Sequence, residues 1–177
     1  MKYLISAVLT AGIAFSQAAA PKAAAPDLST PVASVAALQK QVSGVILRSA
    51  EKMKEEDFGY KPTPDVRSFG QLLGHIADAQ YMFCASVIGE KVAPKGIEKT
   101  MTAKADLKKA LEEAFAYCDK AYAISDSSAA EAVPFFGRAP RAKIGILSFN
   151  VGHNFEHYGN LVTYMRLKGV VPPSSER

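Results

Sequence analysis

Four long segments of the chain repeat apolar residues at steps of three and four, the spacing that places side chains on one face of a helix. These segments predict helices over residues 34–55, 69–88, 103–125 and 140–168. No segment between them alternates apolar and polar residues over a convincing length, as a half-buried strand would. We therefore expect an all-α fold, a four-helix bundle built around one core.

The predicted helix ends carry residues that start and stop helices. Ser68 and Gln71 have the spacing of a capping box, in which each side chain bonds the backbone N–H of the other residue. Thr102 is the expected N-cap of the third helix, and Pro140 suits the first turn of the fourth. Gly89 follows the second helix, where a glycine commonly ends a helix.

Residues 1–18 have the form of an export signal. Lys2 supplies a positive charge, and residues 3–15 form an uncharged apolar run. Ser16 and Ala18 then place small side chains at the two positions that a signal peptidase reads. The run is shorter than the roughly 20 apolar residues that span a membrane. We expect cleavage after Ala18 and an exported mature protein, periplasmic or secreted.

The mature chain divides by composition into three parts. An Ala/Pro-rich stretch without apolar periodicity comes first, and such a stretch is typical of a flexible tether. A helical domain follows, and a short Pro/Ser-rich tail ends the chain. The predicted boundaries are signal peptide 1–18, tether 19–33, helical domain 34–173 and tail 174–177.

The charge of the chain gives no indication of a nucleic-acid partner. The formal net charge is +4, and removal of Lys2 with the signal peptide leaves +3. No cluster of Lys and Arg alternates with aromatic residues, as nucleic-acid-binding proteins commonly show. We expect no nucleic-acid partner. We also expect no membrane contact after signal cleavage, because nothing after Phe15 could span a bilayer.

Cys84 and Cys118 are the two cysteines of the chain. Each lies about 15 residues into its predicted helix, so the two share one level if the second and third helices run parallel. Antiparallel helices would leave an offset of about 15 Å, too far for a disulfide. An oxidising compartment permits the bond, but buried thiols are common, and we expect free thiols.

His153 and His157 stand four residues apart on the fourth predicted helix, within about 40° of each other on one face. Two imidazoles held in this way can share one metal ion. The only other histidine, His75, lies on the apolar face of the second helix. Because an unpaired buried polar group costs about 1–3 kcal/mol, we predict that the three rings converge on one divalent metal ion.

The three imidazoles alone do not identify the metal ion or the residues around it. Zinc, nickel, copper and iron(II) all suit imidazole ligands, and three protein ligands leave a coordination position free, as in catalytic sites. Glu156 is the only acid close to the histidine pair, and it is the candidate catalytic base. By angular position, Glu156, Asn150 and Tyr164 are the candidates to accept hydrogen bonds from the outer ring nitrogens.

Residues 153–157 also match the H-x-x-E-H pattern of one class of metalloproteases. Those proteases take a third ligand from a glutamate well downstream. Only 20 residues follow His157, and Glu176 is the only acid among them. The pattern therefore does not predict a protease in this context.

Three segments resemble the DinB-like superfamily of four-helix metalloproteins, which includes the bacillithiol transferases. They are residues 60–75, 79–91 and 153–173, and the last is the most specific. The resemblance implies one divalent ion held by His75 from the second helix and by His153 and His157 from the fourth. It also implies similarity to metal-dependent thiol transferases, hydrolases and isomerases. The export signal departs from the cytosolic pattern of the thiol transferases.

Three functions follow as hypotheses. The first is a metal-dependent transferase or hydrolase that acts on a small molecule. The second is an exported metal-binding or stress-related protein without turnover. The third is a bundle whose histidines are core or interface residues and which forms a homodimer.

Overall fold

The computed structural model of the protein describes residues 28–176, and it is mainly helical. The predicted signal peptide and most of the predicted tether lie outside the described residues. None of the helices in residues 28–176 combines the length with the apolar composition that a membrane span requires. The elements in chain order are α1 (Pro31–Lys52), α2 (Phe69–Ile88), α3 (Ile97–Thr100), α4 (Lys104–Cys118), α5 (Asp126–Ala129), β1 (Ala132–Phe135), β2 (Arg138–Ala142) and α6 (Lys143–Leu167), with 3₁₀ turns at Glu55–Asp57, Ala121–Ala123 and Pro173–Ser175.

The four long helices α1, α2, α4 and α6 pack together as two parallel pairs. The rings of Tyr81 on α2 and Tyr117 on α4 lie 5.1 Å apart, and residues near the start of both helices also meet, so α2 and α4 run parallel. Likewise, Gln39 of α1 bonds Asn154 of α6, and α1 and α6 run parallel to each other and antiparallel to the first pair. Residues 89–103, here called the crossover, therefore return along the length of α2 before α4 begins.

The parallel arrangement of α2 and α4 overturns the expectation of free thiols. Cys84 and Cys118 form a disulfide, with 5.3 Å between their Cα atoms. Both residues are buried. The two cysteines lie at the same height along α2 and α4 because the crossover carries the chain back before α4 begins. This is the parallel arrangement for which a disulfide was expected to be possible.

The helix ends follow the predictions in part. The capping box of Ser68 and Gln71 is present, and Gly89 ends α2 in the left-handed conformation with φ of 76°. Helix α1 begins three residues earlier than predicted, because Pro31 suits its first turn and Thr30 caps it. The predicted N-cap Thr102 is wrong, since Ala103 occupies that position without a side-chain bond. Helix α4 also ends at Cys118, earlier than predicted.

A two-stranded antiparallel hairpin, β1–β2, replaces the predicted start of the last helix. Pro140 lies in β2, and α6 begins at Lys143. The turn between the strands consists of Phe136 and Gly137, with φ of 51° and 67°, the positive values that tight hairpin turns require. The expectation of no strands was wrong because these strands are short and do not alternate apolar with polar residues.

A layer of buried polar side chains, here called the amide layer, crosses the core between α1, α2 and α6. Its members are Gln39, Gln80, Tyr122, Asn150 and Asn154. Gln80 donates to the side-chain oxygens of Asn150 and Asn154 at 3.1 and 2.8 Å. In turn, Asn150 donates to Gln80 and Tyr122, and Asn154 donates to Gln39. Because unpaired buried amides are costly, this layer favours a single register between the helices.

Gly74 lets the crossover lie directly against α2. A Cβ atom at this position would stand 2.7 Å from the Cα of Glu98 and 2.8 Å from its backbone nitrogen. Asp78, one turn further along α2, accepts bonds from the backbone N–H groups of Ile97 and Glu98, both at 3.0 Å. The crossover is thus fixed at α3 by a close approach and by one carboxylate.

The close approach at Gly74 predicts the effect of adding a single methyl group. We expect Gly74→Ala to lower the free energy of unfolding by about 1–3 kcal/mol, because the clash is with backbone that must shift. Urea denaturation measures this difference. The control is Gly159→Ala on α6, where a Cβ meets nothing within 4 Å, and where we expect unchanged or higher stability. Equal effects of the two substitutions would contradict the proposed packing.

Candidate metal site

The structure brings the three predicted histidines together. His75 lies on α2, and His153 and His157 lie on adjacent turns of α6, which runs antiparallel to α2. The Nε2 atom of His153 is 3.2 Å from that of His75 and 3.0 Å from that of His157. Each ring offers one ligand atom to a cluster whose atoms all lie within 4.8 Å of one another. Two of the histidines are half-buried, and His157 is buried.

Two of the three separations between these nitrogens suit ligands of a single metal ion. With a zinc–nitrogen bond of about 2.0–2.1 Å, two ligands of one ion stand about 3.0 Å apart at a right angle and about 3.4 Å apart in a tetrahedron. The Nε2 of His153 lies 3.0 and 3.2 Å from the other two Nε2 atoms, close to that range. Neutral imidazoles facing one another carry too few protons for all their contacts, whereas a cation would engage every lone pair. The three-histidine group could therefore hold a metal ion.

Glu98 orients His75, and sequence reasoning did not identify this residue. The Nδ1 atom of His75 donates to Glu98 Oε2 at 3.0 Å. Because a carboxylate only accepts, the ring carries its proton on Nδ1 and turns the Nε2 lone pair towards the other histidines. Arg67 donates to the second oxygen of Glu98 at 2.8 Å. Burial acts to raise the pKa of Glu98, but the bonds from Arg67 and His75 outweigh it and hold this pKa below its usual value.

The candidates from sequence for bonding the outer ring nitrogens lie elsewhere. Asn150 belongs to the amide layer, and the hydroxyl of Tyr164 donates to the backbone oxygen of Arg67. Glu156 is exposed and lines a pocket beside His157. Among the described residues, the Nδ1 atoms of His153 and His157 are buried without a hydrogen-bond partner.

Burial keeps the two histidines of α6 neutral. Loss of solvent, followed by repulsion from the neighbouring histidines, lowers the pKa of His153 to about 3. Burial, followed by repulsion from His75, lowers the pKa of His157 to about 4. Both rings therefore offer lone pairs at neutral pH, which is the form that binds a metal.

Two pockets meet the histidine cluster from different sides. The first has a volume of about 600 Å³ and lies between α2 and the crossover, with His75 and His153 in its lining. The second, of about 510 Å³, is lined mainly by polar side chains and includes His157 and Glu156. Glu98 lines both pockets. Small molecules can therefore reach the cluster by two routes, which we call the crossover pocket and the polar pocket.

Aromatic side chains pack against the cluster at the crossover pocket. The ring of Phe83 lies 5.4 Å from that of His153, in an edge-to-face arrangement. Phe135, Phe136 and Phe149 surround Phe83, with ring centroids 5.4 to 6.2 Å from it. Phe135 is buried, whereas Phe136 lines the pocket. The hairpin thus places two phenylalanine rings against Phe83 on this side of the cluster.

The helical bundle and the histidine cluster define the class of protein. A family model described as the DinB superfamily matches residues 23–161. The chain therefore belongs to the DinB superfamily, as the resemblance in its sequence predicted. No curated protein matches the chain by sequence.

Solved structures with the same fold support this assignment. A DinB-like protein from Bacillus cereus ATCC 10987 superposes with a TM-score of 0.68 at 16% identity, covering 78% of this chain and 93% of its own. A DinB-like protein from Bacillus subtilis gives 0.62 at 19% identity, covering 81% and 99%. A mycothiol-dependent maleylpyruvate isomerase gives 0.60 at 15% identity, covering 77% and 67%.

The lowered pKa values predict how the stability of the metal-free protein depends on pH. A histidine has a pKa of about 6.5 in an unfolded chain. Between pH 7 and 5, His153 and His157 therefore become protonated in the unfolded state but stay neutral in the folded state. The free energy of unfolding should therefore fall over this range, by about 1–2 kcal/mol for each of the two histidines. Urea denaturation of chelator-treated protein at the two pH values measures the change.

The control for this pH dependence is the double substitution His153→Gln and His157→Gln. Glutamine does not titrate, so the variant should lose less stability between pH 7 and 5 than the wild type. Equal losses in both proteins would show that other groups cause the dependence.

Proposed function

We propose that the protein binds one divalent metal ion through His75, His153 and His157 and uses it in a transfer or hydrolysis reaction on a small molecule. The observation that carries this proposal is the convergence of the three rings at the meeting point of two pockets. The fold similarity to a mycothiol-dependent maleylpyruvate isomerase supports catalysis on this scaffold. Zinc, nickel and iron(II) all suit the imidazole set.

The residues around the cluster would prepare it for this chemistry. A bound divalent ion supplies Lewis acidity, which lowers the pKa of a water or thiol bound to it. Glu98 fixes the tautomer of His75, and burial keeps His153 and His157 unprotonated. Glu156, at the rim of the polar pocket, is the acid positioned to take up a proton from a substrate there. Phe83 and its aromatic neighbours would form an apolar wall beside His153.

We also propose that the mature protein is exported, to the periplasm or outside the cell. The sequence of residues 1–18 supports this proposal, and so does the disulfide of Cys84 and Cys118, because such bonds persist in oxidising compartments and are rare in the cytosol. A cytosolic thiol is then not the expected cosubstrate.

A non-catalytic metal-binding protein is the alternative function. The same three histidines would serve it, but it requires no substrate route to the ion. Two pockets reaching one cluster favour the enzyme. If metal-loaded protein left both activated esters and thiol acceptors unchanged, the alternative would be preferred.

Native mass spectrometry of the protein purified from an exporting host tests the proposal. We expect a chain that begins at Ala19 and carries one divalent ion. His75→Ala and His153→Ala should each lose the ion during purification, because two imidazoles hold it much more weakly than three. A wild-type chain that stays metal-free after incubation with zinc, nickel and iron(II) would refute the metal site.

A matched pair of glutamate substitutions sharpens this test. Glu98→Gln should weaken metal binding about 10–100-fold, the usual effect of removing a carboxylate that orients a ligand. Glu156→Gln should leave metal affinity nearly unchanged, because Glu156 is exposed and does not bond the rings. Competition with a chelator measures both affinities, and equal effects would contradict the role given to Glu98.

A further inference from the structure

The crossover pocket has one apolar side, formed by α2. Its lining there runs from His75 to Ser86, about 16 Å of helix at 1.5 Å per residue. Between these ends it presents Ala79, Met82 and Ala85. Met82 is 46% exposed, so a large apolar side chain faces the pocket without a covering residue. This side fits an elongated apolar group, with one end at the histidines.

The opposite side of the pocket, formed by the crossover, is basic. Lys91, Lys95 and Lys99 all line it, at intervals of four residues, and all three are exposed. Because the crossover runs back along α2, these cations are spread over the length of the pocket. Lys95 lies over the ring of Tyr81, with Nζ 5.0 Å from the centroid. Among the described residues, none of the three forms a salt bridge.

The acids in the same lining are already engaged. Asp78 accepts two backbone N–H bonds from α3. Glu90 accepts from the hydroxyl of Tyr117 at 2.8 Å and pairs with Lys120. Glu98 is bonded by Arg67 and His75. The lysines are therefore the charges left available to a ligand, and they favour an anion.

We propose that the crossover pocket binds an elongated apolar anion, such as a molecule with a hydrocarbon or aromatic body and a carboxylate. The body would lie along Ala79 and Met82, and the carboxylate would lie at the lysines. This inference rests on the proposed function, since it names the substrate class of the same site. An apolar body contributes affinity through burial, and the charge selects the ligand because the lysines attract only an anion.

Three probes of equal length test the selection by charge. Octanoate, 1-octanol and octylammonium are titrated by calorimetry into the mature protein, both metal-free and zinc-loaded. We expect the metal-free protein to bind octanoate at least fivefold more tightly than 1-octanol, and octylammonium most weakly. The octanoate affinity should fall as salt is raised, because exposed charges are screened. Equal affinities for octanoate and octylammonium would overturn the proposal.

Two sets of variants locate the binding site. The triple substitution Lys91→Gln, Lys95→Gln and Lys99→Gln should reduce octanoate affinity at least fivefold and leave 1-octanol binding unchanged. Its control removes the same charge elsewhere, at Lys40, Lys54 and Lys109. Similar losses in both triples would show that net charge alone attracts the anion, and would overturn the proposal.

The apolar side has a matched control as well. Met82→Glu places an acid in the pocket and should abolish octanoate binding, whereas Leu38→Glu, at a residue of α1 that is 45% exposed, should not. An unchanged affinity in Met82→Glu would overturn the proposal. Failure of the metal site would instead appear as absence of bound ion, with the octanoate preference still measurable in the metal-free protein.

Discussion

The amide layer is the constraint on which the rest of the structure depends. Gln80 on α2 bonds Asn150 and Asn154 on α6, all three fully buried. Sliding either helix by one turn would leave these amides unpaired, at a cost of about 1–3 kcal/mol for each group. His75 lies little more than one turn before Gln80, and His153 directly precedes Asn154. The bonds that set the register thus also set the meeting of the histidines.

The parallel arrangement of α2 and α4 has consequences for both stability and the site. It requires a crossover that returns the full length of α2, and it places Cys84 beside Cys118. The crossover lies directly against α2 at Gly74, where only a glycine leaves room for the backbone of Glu98. That contact places the carboxylate of Glu98 beside His75, where it orients the imidazole ring. The remainder of the crossover forms the basic side of a pocket.

Features that depend on neighbouring residues could be predicted from the sequence. The capping box of Ser68 and Gln71 is local, and so is the spacing of His153 and His157. The convergence of His75 was predicted because an apolar helix face holds a histidine only with a partner, and because the family resemblance implied the same set. The family model confirms the superfamily, and the structure confirms that the three histidines cluster.

Features that depend on topology could not be predicted in this way. Whether Cys84 reaches Cys118 depends on the direction of α4, which no local pattern determines. Glu98 lies in a segment without apolar periodicity, and its role follows from Gly74 and Asp78, which are distant in sequence. The hairpin has two residues with positive φ at its turn, one of them Phe136, and a phenylalanine there gives no turn signal.

X-ray absorption at the zinc edge of the zinc-loaded mature protein tests the central claim most directly. Three imidazole nitrogens at about 2.0–2.1 Å should make up the protein ligands. In His75→Ala, which should bind zinc only when the metal is in excess, the imidazole count should drop to two. A shell with one or two imidazoles in the wild type, or an unchanged shell in the variant, would contradict a site shared by α2 and α6.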